Sequence, residues 1–217
     1  MPKEKKRGLF IVLEGIDGSG TTTQTHRLAG WMREKGLKAH ATREPSDGPV
    51  GVLIRQILQK RLIAPGDKGP VPVDKEAVAL LFAADRLDHL HAEIEPRLAR
   101  GIHVVCDRYV YSSLAYQGPL CGRDWVKEIN SRAAIPDLSI FVLLDPREAE
   151  KRLQNDGRGN ELYEVRKIQE QVAAEYAALK GKMKGHKMKF IRGDLSEDEV
   201  FEHIMKEVET LLKKGRQ

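Results

Sequence analysis

Short, nearly continuous apolar runs alternate along the chain with longer stretches in which apolar residues recur every three or four positions. The first pattern is typical of strands buried on both faces, and the second is typical of amphipathic helices. The strand candidates are Leu9–Leu13, Lys38–Thr42, His103–Cys106, Ser139–Leu144 and Lys187–Ile191. The helix candidates are about Thr22–Lys35, Val50–Arg61, Asp74–Ala99, Arg123–Arg132, Arg147–Asn155, Tyr163–Met183 and Glu197–Lys213. This alternation predicts an α/β fold in which a five-stranded parallel β-sheet is flanked by helices on both faces.

The composition predicts one globular domain that spans residues 1–217, with 41% hydrophobic and 32% charged residues. The apolar runs are too short to span a bilayer, and the basic segment 1–7 reads as a disordered tail and not as a signal peptide. Cys106 and Cys121 have no metal-binding spacing, so we expect free thiols and a cytoplasmic protein. The formal charge of +5 suits phosphate-bearing ligands, but it is too small to predict nucleic-acid binding, which we do not expect.

A glycine-rich turn joins the first predicted strand to the first predicted helix. It contains Gly15, Ile16, Asp17, Gly18, Ser19, Gly20, Thr21, Thr22 and Thr23. A strand, the pattern G-x-x-x-x-G-K-[ST] and a helix together form a phosphate-binding loop, or P-loop, whose backbone N–H groups surround a polyphosphate. This context predicts ATP binding, with the Thr22 hydroxyl on Mg²⁺. However, Thr21 replaces the lysine and supplies no charge, and it could equally be an ordinary helix N-cap.

Polar motifs also follow the next two predicted strands, Arg43-Glu44-Pro45 after the second and Asp107-Arg108 after the third. In a parallel sheet, ligands bind beyond the carboxyl ends of the strands, which is where these motifs fall. Asp107 is a candidate to hold Mg²⁺ through water, and Arg108 is a candidate to bind a phosphate. The alternative is a surface ion pair between the two. The hydroxyl- and aromatic-rich stretch after them favours a pocket wall, because as a turn it would make a poor core.

Several motifs together resemble those of thymidylate kinases, and the resemblance covers nearly the whole chain. They are Glu14-Gly-Ile-Asp17-Gly-Ser-Gly20, Thr42-Arg43-Glu44-Pro45, Leu81-Phe82-Ala83-Ala84-Asp85-Arg86, Asp107-Arg108-Tyr109…Ser112-Ser113…Ala115-Tyr116-Gln117 and Pro136-Asp137-Leu138…Leu144-Asp145. The resemblance implies a P-loop NTPase fold with a short lid at about 146–164. It also implies transfer of a phosphoryl group from ATP to dTMP with Mg²⁺, in dTTP synthesis, by a homodimer.

The resemblance also implies an acceptor pocket. It would contain Arg43, Glu44, Pro45, Phe82, Arg86, Arg108, Ser112, Ser113, Tyr116 and Gln117. Arg43 and Arg108 would bind the monophosphate, and Glu44-Pro45 would shape the floor beneath it. Ser113 and Gln117 would position the base, and Tyr116 would exclude a ribose 2′-hydroxyl.

Phe82 and Arg86 are expected to face one pocket, because they are four positions apart on a predicted helix. By the resemblance, Phe82 would stack on thymine and Arg86 would donate to a carbonyl of the base. The alternative for Phe82 is an ordinary core residue. Asp17 would contact the sugar 3′-hydroxyl or the metal.

Thymidylate kinases keep a phosphate-clamping arginine either in the P-loop or in the lid. This P-loop has none, whereas the lid candidate contains Arg152, Arg158 and the pair Tyr163-Glu164, which resembles the bacterial lid-arginine type. The catalytic candidates are therefore Asp17, Arg108, Arg152 and Arg158. A solvated helix end with unrelated charges is the alternative for the lid. Because Thr21 lacks charge, two functions besides dTMP phosphorylation stay open: nucleotide binding with impaired catalysis, and phosphorylation of another acceptor such as dUMP.

Overall fold

The structure is a computed structural model that describes residues 7–155 and 162–214. The strands are β1 (Phe10–Gly15), β2 (Ala39–Arg43), β3 (His103–Asp107), β4 (Leu138–Leu143) and β5 (Met188–Arg192). The helices are α1 (Thr21–Glu34), α2 (Pro49–Leu58), α3 (Lys75–His89), α4 (Glu95–Ala99), α5 (Val110–Tyr116), α6 (Gly118–Cys121), α7 (Arg123–Ile129), α8 (Pro146–Asn155), α9 (Leu162–Ala178) and α10 (Glu197–Lys214).

Within the described residues the strands form one five-stranded parallel sheet in the order β2-β3-β1-β4-β5. The predicted architecture is therefore confirmed. Asp107 lies level with Leu13 on β1 and with Arg43 on β2. The register thus brings the ends of three strands, and the polar residues that follow them, to one edge of the sheet.

Residues of β1 alternate between two apolar cores, one on each face of the sheet. Phe10 and Val12 belong to a core that is covered by residues of α4, α5 and α9. Ile11 and Leu13 belong to a second core, which α1 and α10 cover. The central strands are therefore buried on both sides, as near-continuous apolar runs require.

The structure corrects the interpretation of the stretch after Arg108 as a turn. Residues 110–116 form helix α5. Two aromatic side chains at its start, those of the N-cap Tyr109 and of Tyr111, are fully buried in the first core. Tyr109 packs edge-on against Phe10, with 5.0 Å between the ring centroids. This segment therefore contributes to the core as well as to the edge where the motifs meet.

The long helix predicted over Asp74–Ala99 is divided. Asp74 is the N-cap, where its side chain accepts hydrogen bonds from the N–H groups of Glu76 and Ala77. The segment Leu90–Ile94 then has π-helical hydrogen bonding and joins α3 to α4. Periodicity could not predict this segment, because it differs from an α-helix only in the register of its hydrogen bonds.

Three further sequence features have a place in the structure. Both cysteines are free thiols: Cys106 is buried in β3 and Cys121, in α6, is partly exposed. Arg7 pairs with Asp137 at 2.8 Å, at the end of β1 opposite the P-loop. Among the described helices, none combines the length and apolar character needed to cross a membrane.

Candidate functional site

The P-loop connects β1 to α1 through a turn closed by a hydrogen bond from the Ser19 N–H to the Ile16 carbonyl, at 3.1 Å. Gly20 is the N-cap of α1 and has a φ of 87°, a conformation that favours glycine. Because glycine has no side chain, the first N–H groups of α1 lack a side-chain cap. They remain suited to bind an anion, and the helix dipole favours negative charge at this end.

The three threonines of the P-loop differ in exposure. Thr21 is buried with 5% exposure, whereas Thr22 and Thr23 are exposed in the first turn of α1. The N-cap interpretation of Thr21 is wrong, because Gly20 takes that position and α1 begins at Thr21. The buried Thr21 side chain supplies no charge where the motif usually has a lysine.

Thr22 and Asp107, the two residues predicted to bind metal, are in direct contact. The Thr22 hydroxyl donates to Oδ2 of Asp107 at 2.5 Å. Asp107 is buried with 7% exposure, and its Oδ1 has no hydrogen-bond partner among the described residues. A hydroxyl beside a carboxylate oxygen in need of a partner suits Mg²⁺, which prefers oxygen ligands.

Asp17 and Arg108, both predicted catalytic residues, form an ion pair. Nη2 of Arg108 lies 2.5 Å from Oδ1 of Asp17, and the guanidinium lies 5.5 Å from the ring centroid of Tyr116. Nη1 of Arg108 is 3.4 Å from Ser112 Oγ and 3.5 Å from the Tyr116 hydroxyl. Arg108 has a φ of 67°, which is uncommon for a residue other than glycine.

Gln169 is a site residue that the sequence reasoning missed. Its Nε2 donates to Oδ2 of Asp17 at 2.8 Å, and its Oε1 accepts from the Asp17 N–H at 3.2 Å. Gln169 is 5% exposed on α9, on the same helical face as Val172 and Tyr176. A buried amide on an otherwise apolar face was the available signal.

The motif after β2 meets α3 through buried polar contacts. Oε2 of Glu44 lies 2.8 Å from Nη2 of Arg86, and their side chains are 3% and 1% exposed. Nη2 of Arg86 also donates to Ser113 Oγ at 3.1 Å, and Nη1 donates to Oδ1 of Asn130, a residue that the sequence reasoning did not select. Nε of Arg86 has no hydrogen-bond partner among the described residues. The Glu44–Pro45 peptide bond is cis.

The remaining pocket candidates lie around these pairs. Arg43 is largely exposed and pairs with Asp47 at 2.9 Å. Phe82 is partly buried and is not a member of either apolar core, which favours the pocket interpretation over the core alternative. Oε1 of Gln117, just after α5, is buried without a hydrogen-bond partner among the described residues.

Glu14, which precedes the P-loop, is fully buried and has four polar contacts. Oε1 accepts from the N–H groups of Tyr109 at 2.9 Å and Ser112 at 3.3 Å. Oε2 accepts from the hydroxyls of Ser112 at 2.7 Å and Tyr176 at 2.9 Å. Burial raises the pKa of Glu14 to about 7, although these hydrogen bonds and the charge of Arg108 favour the ionised form.

The lid candidates are only partly described. Arg152 lies on α8, where its Nη2 donates to the Gly193 carbonyl at 2.9 Å after β5. α8 packs against the P-loop so closely that a Cβ on Gly18 would lie 2.8 Å from the Ala149 carbonyl oxygen. Arg158 lies outside the described residues, as do the side chains of Tyr163 and Glu164.

Comparison with known proteins identifies the family. Residues 13–204 match the family profile described as thymidylate kinase. A probable thymidylate kinase of Pyrococcus abyssi is 42% identical over 200 residues, which cover 92% of this chain and 95% of the relative. A probable thymidylate kinase of Pyrococcus horikoshii is 45% identical over 175 residues, covering 80% and 83% of the two chains. A third, from Methanococcus maripaludis, is 44% identical over 168 residues, covering 77% and 75%. The chain belongs to the thymidylate kinase family.

Proposed function

We propose that this protein transfers the γ-phosphoryl group of ATP to dTMP, with Mg²⁺, giving dTDP and ADP. The observation that carries the proposal is the meeting of two pairs at one edge of the sheet. Thr22 and Asp107 form a donor-side pair at the P-loop, and Asp17 and Arg108 form a second pair beside it. Phosphoryl transfer depends mainly on positioning and charge stabilisation, which such pairs can provide.

On the donor side, the P-loop backbone and the N-terminus of α1 hold the phosphates of ATP. Thr22 and Asp107 hold Mg²⁺, and the unpartnered Oδ1 of Asp107 supports this assignment. The ion neutralises charge on the phosphates. The described residues contain no cluster of three or more His, Cys, Asp or Glu side chains suited to a metal.

On the acceptor side, Arg108 binds the monophosphate of dTMP together with the exposed Arg43. Asp17 orients Arg108 through their ion pair and contacts the sugar 3′-hydroxyl. Phe82 stacks on the base and Tyr116 excludes a ribose 2′-hydroxyl. Glu44 offsets the charge of Arg86, and the buried Nε without a partner leaves Arg86 a donor for the base.

Arginines of the lid region supply the charge that Thr21 lacks. A single preorganised charge-stabilising donor is worth about 10²–10³ in rate, and an arginine finger is worth about 10³–10⁵. Arg152 supports this assignment, because its helix lies against the P-loop at Gly18. Arg158 follows on the same lid segment of the sequence.

The protein acts as a homodimer. Apolar side chains on two helices that pack together support this part of the proposal: Val52 and Leu53 on α2 are 45% and 38% exposed, and Leu80 and Leu87 on α3 are 49% and 40% exposed. Leu80 and Leu87 are seven positions apart and share a helical face. Exposed apolar side chains concentrated on neighbouring helices are typical of subunit interfaces.

The deciding experiment is steady-state ADP release from ATP and Mg²⁺ with dTMP as the acceptor. A dTMP-dependent rate near 1 s⁻¹ or above, in the usual range of enzymes, is expected. Binding of dTMP without turnover would instead favour a nucleotide-binding protein, the function that Thr21 by itself suggests. Competition between dTMP and dUMP in the same assay tests the choice of acceptor.

Alanine substitutions test the lid. Arg158→Ala and Arg152→Ala together should lower the turnover number by at least about 10³-fold if they replace the lysine. Lys151→Ala is the control for the Arg152 part of the change, because it removes one positive charge at an exposed neighbouring position on α8. Turnover that is unchanged in the double variant would refute the role of the lid.

A further inference from the structure

The position of Glu14 suggests a role beyond packing, because its carboxylate connects three elements around the site. It lies near the end of β1, immediately before the P-loop, and contacts the beginning of α5 and the C-terminal turn of α9. Ser112 Oγ and the Tyr176 hydroxyl, both bonded to Oε2, are themselves 2.9 Å apart. These three oxygen atoms form a closely spaced triangle in the interior, in which the two hydroxyl hydrogens make two of the three possible hydrogen bonds at a time.

Glu14 caps helix α5 from a distant part of the sequence. The first N–H groups of a helix lack partners within the helix, and a side chain usually satisfies them. The N-cap of α5, Tyr109, provides no such side-chain bond. Instead, Oε1 of Glu14 accepts from the Tyr109 N–H, and it shares the Ser112 N–H with the Tyr109 carbonyl.

Hydrogen bonds to two residues of β1 hold the backbone on both sides of Arg108. The Arg108 N–H donates to the Leu13 carbonyl at 2.8 Å, and the next N–H, that of Tyr109, donates to Glu14. Two consecutive residues of β1 therefore anchor two consecutive peptide units around Arg108. This residue has a positive φ, a conformation that persists only where its surroundings impose it.

We propose that Glu14 is a positioning residue, which fixes the backbone at Arg108 so that its guanidinium reaches Asp17 and the phosphate of the acceptor. The inference rests on the proposed function, because it assumes that Arg108 binds that phosphate. Glu14 is fully buried, so its effect on turnover must pass through the groups that it holds: the backbone at Arg108 and the Ser112 hydroxyl, which itself lies 3.4 Å from Nη1 of Arg108.

Electrostatics supports a functional reason for the residue. Burial raises the pKa of Glu14 to about 7, so an ionised carboxylate at this position destabilises the folded state. An apolar side chain of similar size would avoid that cost. Residues that oppose stability in this way are concentrated at functional sites.

A double-mutant cycle with Glu14→Met and Arg108→Ala tests the proposal. Methionine has about the length of glutamate but cannot accept the two N–H groups. Glu14→Met should lower kcat/KM for dTMP by about 10- to 100-fold, as expected when a reacting group is misplaced by about 1 Å. In the Arg108→Ala background the same change should lower it by at most about threefold, because the residue through which Glu14 acts is absent.

Two further variants separate positioning from stability. Glu14→Gln keeps an oxygen that can accept both N–H groups, so it should restore most of the activity lost in Glu14→Met. Ile204→Ala, in α10 on the other face of the sheet, destabilises a fully buried position without contact to α5, and its effect should be equal in both backgrounds. If Glu14→Met does not fold, Glu14→Asp replaces it in the cycle, because it withdraws the carboxylate by one methylene group.

Equal losses in the two Arg108 backgrounds, or no loss in Glu14→Met, would overturn the proposal. Failure of the proposed function is distinguishable, because it would appear as wild-type protein that binds dTMP without turnover. In that event the dissociation constant of dTMP is measured for the same four proteins of the cycle. The expected result is still that Glu14→Met weakens binding more when Arg108 is present than in the Arg108→Ala background.

Discussion

The buried carboxyl group of Glu14 should make the stability of this protein depend on pH in a way that Glu14→Gln removes. In the folded state its pKa is raised from the ordinary 4.5 to about 7 by burial. Below pH 4.5 the group is protonated in both the folded and the unfolded chain, so burial carries no ionisation cost. As the pH rises from 4.5 to 7, the unfolded chain releases the proton and the folded chain retains it. The free energy of unfolding therefore decreases over this interval.

The size of the effect follows from the two pKa values. The interval from 4.5 to about 7 corresponds to about 3 kcal/mol of destabilisation, fully present above pH 7. Glutamine has a similar shape and no charge at any pH. Relative to wild type, Glu14→Gln should therefore gain about 2 to 3 kcal/mol in free energy of unfolding between pH 5 and pH 8.5.

Urea unfolding at these two pH values, analysed by linear extrapolation, measures the difference without adding salt that would screen charges. Using the change between pH values cancels any constant effect of the substitution on packing. Glu128→Gln, at an exposed position on α7, controls for the loss of one acidic group. A stability difference between Glu14→Gln and wild type that is equal at both pH values would refute the reasoning.

Three other predictions concern the site and the subunit interface. Thr21→Lys should raise turnover in the Arg152→Ala/Arg158→Ala background by at least about tenfold, whereas Thr21→Ser should not. Equal turnover with and without Thr21→Lys in that background would contradict the proposal that the lid arginines replace the missing lysine. Gln169→Leu removes both hydrogen bonds to Asp17 and should lower kcat/KM for dTMP by at least about three- to tenfold, the value of a single hydrogen bond, with Gln169→Glu tested beside it; an unchanged value would count against the contact. Leu80→Asp should convert the proposed dimer to a monomer in sedimentation, whereas Glu128→Gln should not; a wild-type monomer would exclude the proposed interface.

The three central strands β1, β3 and β4 could be predicted because each contains a compact apolar run, which leaves little freedom in assigning it. The placement of Arg43, Asp107 and the P-loop at one edge followed from a general property of parallel sheets. Helix α5 could not be predicted in the same way. Two of its N-terminal N–H groups, those of Tyr109 and Ser112, donate to Glu14, which is 95 residues away from Tyr109, so the local sequence contains no capping signal.

The contacts of the site residues were less predictable than their positions. Arg108, Asp17 and Thr22 were selected from motifs, but Gln169 and Asn130 act only through three-dimensional proximity. Arg86 was expected to bind a base, and the sequence could not indicate its buried pair with Glu44. Polar partners from distant helices leave a weak signal in a single sequence, because each resembles an ordinary surface residue.

The two cysteines provide a built-in chemical probe of the fold. Burial raises the pKa of the Cys106 thiol well above its ordinary value, and the side chain has no exposed surface in β3. A thiol reagent reacts with the thiolate and requires access, so modification of Cys106 must wait until the sheet opens. Cys121 is partly exposed and can be modified in the native protein. The ratio of the two labelling rates, read by mass spectrometry, would report the opening of the central sheet and how far bound nucleotides suppress it.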